Sequence, residues 1–136
     1  MKPVFVDALY WIAIVKRGDQ YEQVARKARD QLGDVRLVTT DGCLAEFLAA
    51  LARGSHLRKA AAEMVRAIMS NANVRVVPQT RDSFLRALRR YEERLDKGYT
   101  LTDCMSMDVM EEEGIQEALT HDHHFVQEGF TALIPN

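Results

Sequence analysis

Residues 3–15 read Pro3-Val4-Phe5-Val6-Asp7-Ala8-Leu9-Tyr10-Trp11-Ile12-Ala13-Ile14-Val15. The short apolar run Val4-Phe5-Val6 has the form of a buried strand, and it stops abruptly at an acid. Apolar residues then resume from Leu9 to Val15 in the manner of a helix start. A strand, an acid at its carboxyl end and an immediate helix form the opening unit of an α/β fold.

The rest of the chain repeats that alternation. After Gly18-Asp19 an amphipathic helix is expected over about residues 20–32, with Tyr21, Val24, Ala28 and Leu32 at helical spacing. Gly33-Asp34 breaks it before a second strand at 35–38. Thr39, Thr40 or Asp41 can cap the next helix, whose stripe is Leu44, Phe47, Leu48 and Leu51. Gly54-Ser55 separates it from a helix near 57–69, and Val74-Arg75-Val76-Val77 is a third strand closed by Pro78. Thr80 or Asp82 starts a helix with an apolar stripe of Phe84, Leu88, Tyr91 and Leu95, ended by Gly98. Thr102 is expected to cap a helix reaching about Glu113, with Gly114 as its stop. Short strands at 118–120 and 131–134 flank a loop at 121–129. The pattern predicts an α/β fold with a mostly parallel central sheet flanked by helices.

Composition sets outer bounds. The 136 residues are 47% hydrophobic and 28% charged, which suits one domain spanning 1–136 and excludes a disordered tail. No apolar run approaches the ~20 residues of a membrane span, and Asp7 comes too early for a signal peptide. Cys43 and Cys104 form no disulfide framework, so a soluble protein of the reducing cytoplasm is expected. The formal net charge of −2 conceals an asymmetry: residues 96–136 hold Lys97 against nine acids, or −8, and the first 95 residues carry +6. Thirteen of the eighteen bases are Arg, whose fork pairs well with phosphate. Such polarity points toward partners rather than fold.

Several chemistries are excluded. The chain lacks a Gly-rich phosphate loop, a Cys-x-x-Cys pair and a Gly-x-Ser-x-Gly elbow. Acids in unusual places remain. Asp7 stands at a strand end, where open α/β sheets bind ligands, although helix capping explains a lone Asp equally well. Glu46 lies in an apolar helix among Gly42, Cys43, Ala49 and Ala50; a carboxylate there needs a cation, and Arg53 is the ordinary choice. Asp103 occupies a first helical turn, a favourable place for negative charge. Asp108 is about 140° further around that helix and so falls behind the site or in solvent. Glu111, Glu112 and Glu113 read as a solvated helix end. Asp122 sits in Thr120-His121-Asp122-His123-His124-Phe125. That run invites zinc, but a structural zinc site needs a second ligand pair and His56 is the sole remaining histidine. Loop histidines facing solvent or phosphate are the better account.

Four segments, in order, resemble the PIN domain of metal-dependent nucleases: Val6-Asp7; Thr39-Thr40-Asp41-Gly42-Cys43-Leu44-Ala45-Glu46-Phe47; Tyr99-Thr100-Leu101-Thr102-Asp103-Cys104-Met105-Ser106; and Ala118 through Phe125 before Gly129-Phe130. A lone PIN domain of this length is similar to VapC-type toxins of toxin–antitoxin pairs. The resemblance implies a Rossmann-like three-layer fold and an endoribonuclease hydrolysing RNA phosphodiester bonds. It gathers Asp7, Glu46, Asp103 and Asp122 around Mg²⁺ or Mn²⁺, hard ions suited to oxygen ligands. Ser106, Asp108, Asp41, His121 and His123 are then expected behind the ligands or toward substrate. A cognate antitoxin and a homodimer are further implied, and the basic first 95 residues would hold the RNA, with Arg53, Arg58 and Lys59 among the unranked candidates. The chain departs from the family pattern at Ala8, where Thr or Ser is common, and at Asp41 and Asp108. Ala8 and Asp41 feed a rival reading as a non-catalytic binding module, and a PIN nuclease acting in RNA processing or on DNA is another.

Overall fold

A computed structural model describes residues 1–136. The elements are β1 (Lys2–Val6), α1 (Ala8–Val15), α2 (Glu22–Leu32), β2 (Val35–Thr40), α3 (Asp41–Ala50) and α4 (Ser55–Ser70). They continue with β3 (Val74–Val77), α5 (Arg81–Glu93), α6 (Leu101–Glu113), β4 (Glu117–Leu119), α7 (His123–Gln127) and β5 (Thr131–Ala132). No helix is long and apolar enough to cross a membrane.

The five strands lie in the order β3-β2-β1-β4-β5, and every pairing is parallel. β1 is central: Val4, Phe5 and Val6 are fully buried, as a strand covered on both faces requires. Connections run outward from β1 in opposite directions, to β2 on one side and β4 on the other. The crevice beyond the carboxyl ends of β1 and β4 is therefore the topological switch point, where sheets of this kind hold their ligands. Asp7 follows β1 directly and Asp122 follows β4.

Helix starts agree with the cap logic in two of three cases. Thr40 caps α3 by accepting from the Cys43 N–H at 3.0 Å, and Thr80 caps α5 through a capping box with Ser83. The third cap is Thr100 rather than Thr102. Its hydroxyl accepts from the Asp103 N–H at 3.0 Å, while Asp103 Oδ2 accepts from the Thr100 N–H at 3.0 Å. Gly114 ends α6 in the left-handed conformation, φ 68°, which a side chain would strain.

Three further expectations need correction. The segment after Asp122 is the short helix α7, not a loop, and β5 is only Thr131–Ala132. The predicted apolar stripe of α5 does not face the core: Leu88, Tyr91 and, just past the helix, Leu95 are exposed together with Leu85, and Phe84 is half-buried, whereas Ala87 and Arg90 are buried against α6. The acids ending α6 are not free in solvent. Glu111 binds Arg90 at 2.7 Å, Glu112 binds Arg86 at 3.0 Å, and Glu113 pairs with Arg75.

Those pairs reinterpret the charge asymmetry. Arg90 also holds Asp108 at 2.8 Å and Glu128 at 2.6 Å; Arg94 holds Glu128 at 2.9 Å, and Lys2 pairs with Glu117. The acidic final third is thus largely the intramolecular partner of the basic body. Arg53, Arg58 and Lys59, near the α3–α4 turn, are exposed and form no ion pair, although Arg58 donates to the Ala52 carbonyl at 3.2 Å.

Candidate active site

Strand β1 delivers Asp7 into the crevice, where it is 3% exposed. It occupies the N-cap position of α1 but makes no side-chain cap bond. Its carboxylate instead accepts from the Thr120 hydroxyl at 2.8 Å and the Cys43 thiol at 3.8 Å. A buried carboxylate without a cation resists ionisation. Burial, opposed in part by the Thr120 hydrogen bond and reinforced by the charges of Glu46 and Asp103, pushes Asp7 from its ordinary 3.8 to about 7.

Glu46 projects from α3 and is half-buried. Desolvation raises its pKa, and the nearby charges of Asp103 and Asp122 raise it further. Arg53 does not neutralise it, so the ordinary boundary pairing is absent. Gly42 lets α3 approach α6 closely, since a Cβ there would lie 3.0 Å from the Met105 methyl. That approach carries Glu46 toward Asp103.

Asp103 is the third residue of α6 and 6% exposed. Its place in the capping box fixes the carboxylate rotamer. Asp122 caps α7, with Oδ1 accepting from the His124 N–H at 2.9 Å, and its own N–H donates to Thr120 Oγ1 at 3.1 Å. One threonine hydroxyl therefore ties Asp7 to the backbone of Asp122.

His124 completes the cluster. Its Nδ1 lies 2.9 Å from Asp103 Oδ2 and 3.5 Å from Asp122 Oδ1. Ligand atoms of Asp103, Asp122 and His124 all fall within 4.8 Å of one another. His121 and His123, the histidines expected behind the ligands or toward substrate, do not enter this cluster, whereas His124 does. His121 stacks on Tyr21 with ring centroids 3.7 Å apart, and burial lowers its pKa. His123 is exposed. The available signal was the i, i+2 relation to Asp122, which lets an N-cap acid hold the backbone of the residue that turns inward.

The remaining sequence candidates separate. Ser106 is fully buried, 3.4 Å from Cys43 Sγ, and so lies behind Asp7. Cys43 is held as a thiol, pushed up to about 12 by burial and then by the Asp7 charge. Asp41 accepts from the Gln79 N–H at 3.0 Å and ties α3 to the segment after β3. Asp108 belongs to the Arg90 cage and not to this crevice.

No Lys or Arg pairs with Asp7, Glu46, Asp103 or Asp122; His124 alone meets two of them. Carboxylates gathered without a permanent counter-charge, with oxygen donors converging beside a helix terminus, fit a hard divalent cation.

Comparisons with known proteins extend over nearly the whole chain. The PIN domain family profile matches residues 4–130. A 23S rRNA-specific endonuclease, VapC20 of Mycobacterium tuberculosis, is 32% identical over 135 residues, covering 97% of this chain and 98% of that protein. The crystal structure of VapC20, described as a sarcin-ricin loop cleaving toxin, superposes with a TM-score of 0.86 at 26% identity. It covers 97% of this chain and 99% of that one.

Proposed function

This chain belongs to the PIN-domain family and is an endoribonuclease of the VapC toxin type, and we propose that Asp7, Glu46, Asp103 and Asp122 carry its chemistry with Mg²⁺ or Mn²⁺. The observation that carries this reading is the meeting of donor atoms from Asp103, Asp122 and His124 within 4.8 Å at the switch point, beside buried Asp7 and half-buried Glu46, with no Lys or Arg paired to any of the four acids. Bound there, a divalent cation would polarise the scissile phosphate and supply a water acidic enough to attack at neutral pH.

The protein's own groups have distinct tasks. Asp7 and Asp103 are the central ligands, being the two most buried acids. Glu46 and Asp122, each more open to solvent, complete the ligand set or orient the attacking water. Thr120 holds Asp7 and Asp122 in register. Ser106 and Cys43 fill the space behind Asp7 and keep water from it. The unpaired Arg53, Arg58 and Lys59 bind the RNA backbone, where cations fix register without reading sequence.

The substrate is RNA in the cytoplasm, a structured ribosomal RNA element being the first candidate because VapC20 is a 23S rRNA-specific endonuclease. A cognate antitoxin restrains the activity. The protein acts as a homodimer through α5 and the turn after it, whose exposed Leu85, Leu88, Tyr91 and Leu95 form an apolar row that solvent does not favour.

Cleavage of matched RNA and DNA with and without Mg²⁺ or Mn²⁺ tests the proposal. RNA cleavage is expected to require the ion and to vanish in Asp7→Ala and Asp103→Ala. Undiminished cleavage by purified Asp103→Ala would overturn the assignment.

A further inference from the structure

We propose that His124 is itself a ligand of the metal, donating through Nδ1 beside Asp103 and Asp122, and that it biases the site toward Mn²⁺ and later divalent ions over Mg²⁺. This rests on the metal-dependent reading above and adds a nitrogen to an otherwise all-oxygen site.

The separations support one shared coordination sphere. Two ligands about 2.1 Å from one ion, on neighbouring octahedral corners, stand about 3.0 Å apart, and opposite corners about 4.2 Å. His124 Nδ1 lies 2.9 Å from Asp103 Oδ2 and 3.5 Å from Asp122 Oδ1, and the three donor atoms span at most 4.8 Å.

The ring is also aimed. Its backbone N–H is held by Asp122 Oδ1 at 2.9 Å, which couples the histidine to the neighbouring acid. One side of the imidazole packs on Tyr99, at 5.2 Å between centroids and a 58° tilt. Nε2 faces Gly98, where an added Cβ would lie 4.0 Å away. Nδ1 therefore faces the carboxylates, and with a metal bound there the ring proton would sit on Nε2 at the opposite edge. His121, stacked on Tyr21, and exposed His123 are not turned into the cluster. They serve as internal controls.

Chemistry gives the direction of the selectivity. Mg²⁺ accepts nitrogen reluctantly, whereas affinity for imidazole rises from Mn²⁺ through Co²⁺ and beyond. An imidazole that served only as a hydrogen-bond donor to Asp103 would steady the carboxylate for every ion alike.

Pulsed electron paramagnetic resonance on the full-length protein loaded with Mn²⁺ reads the ligand directly. The wild type is expected to show modulation from a coordinated ¹⁴N that persists in His121→Ala and His123→Ala and disappears in His124→Ala. By calorimetry, the ratio of Mn²⁺ to Mg²⁺ affinity should fall about tenfold or more in His124→Ala, as loss of a metal-site partner does. Asp103-dependent Mn²⁺ binding without nitrogen modulation in the wild type would overturn the role of His124 and leave the metal reading intact. Absence of any Asp103-dependent Mn²⁺ binding would overturn both.

Discussion

The hydroxyl of Thr120 donates to the carboxylate of Asp7 across 2.8 Å in a fully buried contact between the ends of two parallel strands. The same oxygen accepts the Asp122 N–H. Thr120→Val keeps the shape and removes both bonds, so metal affinity should fall 10- to 100-fold, the usual cost of losing a group that orients a ligand. Thr120→Ser restores the hydroxyl and should recover most of it. Mn²⁺ titration calorimetry on the three proteins makes the comparison; equal affinities would deny Thr120 a positioning role.

Asp7 makes the metal-free protein sensitive to pH in a defined direction. Its carboxyl moves from 3.8 to about 7 on folding, chiefly because it is buried. The folded state then binds this proton more tightly than the unfolded chain, so stability falls as pH rises from about 4 to about 7. At roughly 1.4 kcal/mol per unit, the contribution is on the order of 4 kcal/mol. Denaturant melts in chelator should show this slope in the wild type and a flatter one in Asp7→Asn. Identical slopes would contradict it.

Arg90 is the buried cation of the fold, 10% exposed in its side chain and bound by Asp108, Glu111 and Glu128. Arg90→Ala leaves those acids facing one another and should cost about 3–5 kcal/mol, as breaking a buried pair does. Asp108 Oδ2 is already without a partner. Metal affinity measured below the melting transition should change far less than stability, because the cage reaches the crevice only through Glu128, which accepts from the Tyr99 hydroxyl at 3.0 Å.

The outward row on α5 gives a prediction about assembly. Leu88→Glu combined with Leu95→Glu places charge on residues that are 37% and 83% exposed. The monomer should remain folded while light scattering reports a shift from dimer to monomer. A wild type that is monomeric at high concentration would remove the α5 face from consideration.

The candidate site was legible wherever the relevant signal is local. Asp7 and Asp122 are marked by strand ends, and Asp103 by its helical first turn. Glu46 is marked by an acid set in apolar surroundings. Thr120 was not legible, because its role is a contact 113 positions away, and of His124 only the i, i+2 relation to Asp122 was local, its contact with Asp103 spanning 21 positions.

The sequence alone determined the alternation of strands and helices, the acids placed at their ends and the small residues that allow close packing. These follow from nearest-neighbour sterics, hydrogen bonding and hydrophobic period. Only the tertiary structure decided which face of α5 turns inward. The reason is energetic competition: Arg90 finds three carboxylates on the α6 side, and small Ala87 permits the approach, so the leucine row is left outside. The charge asymmetry was likewise decided by folding. A count of charges cannot distinguish an acid awaiting a partner molecule from one that already meets an arginine of its own chain, and most of the acids after residue 95 are of the second kind.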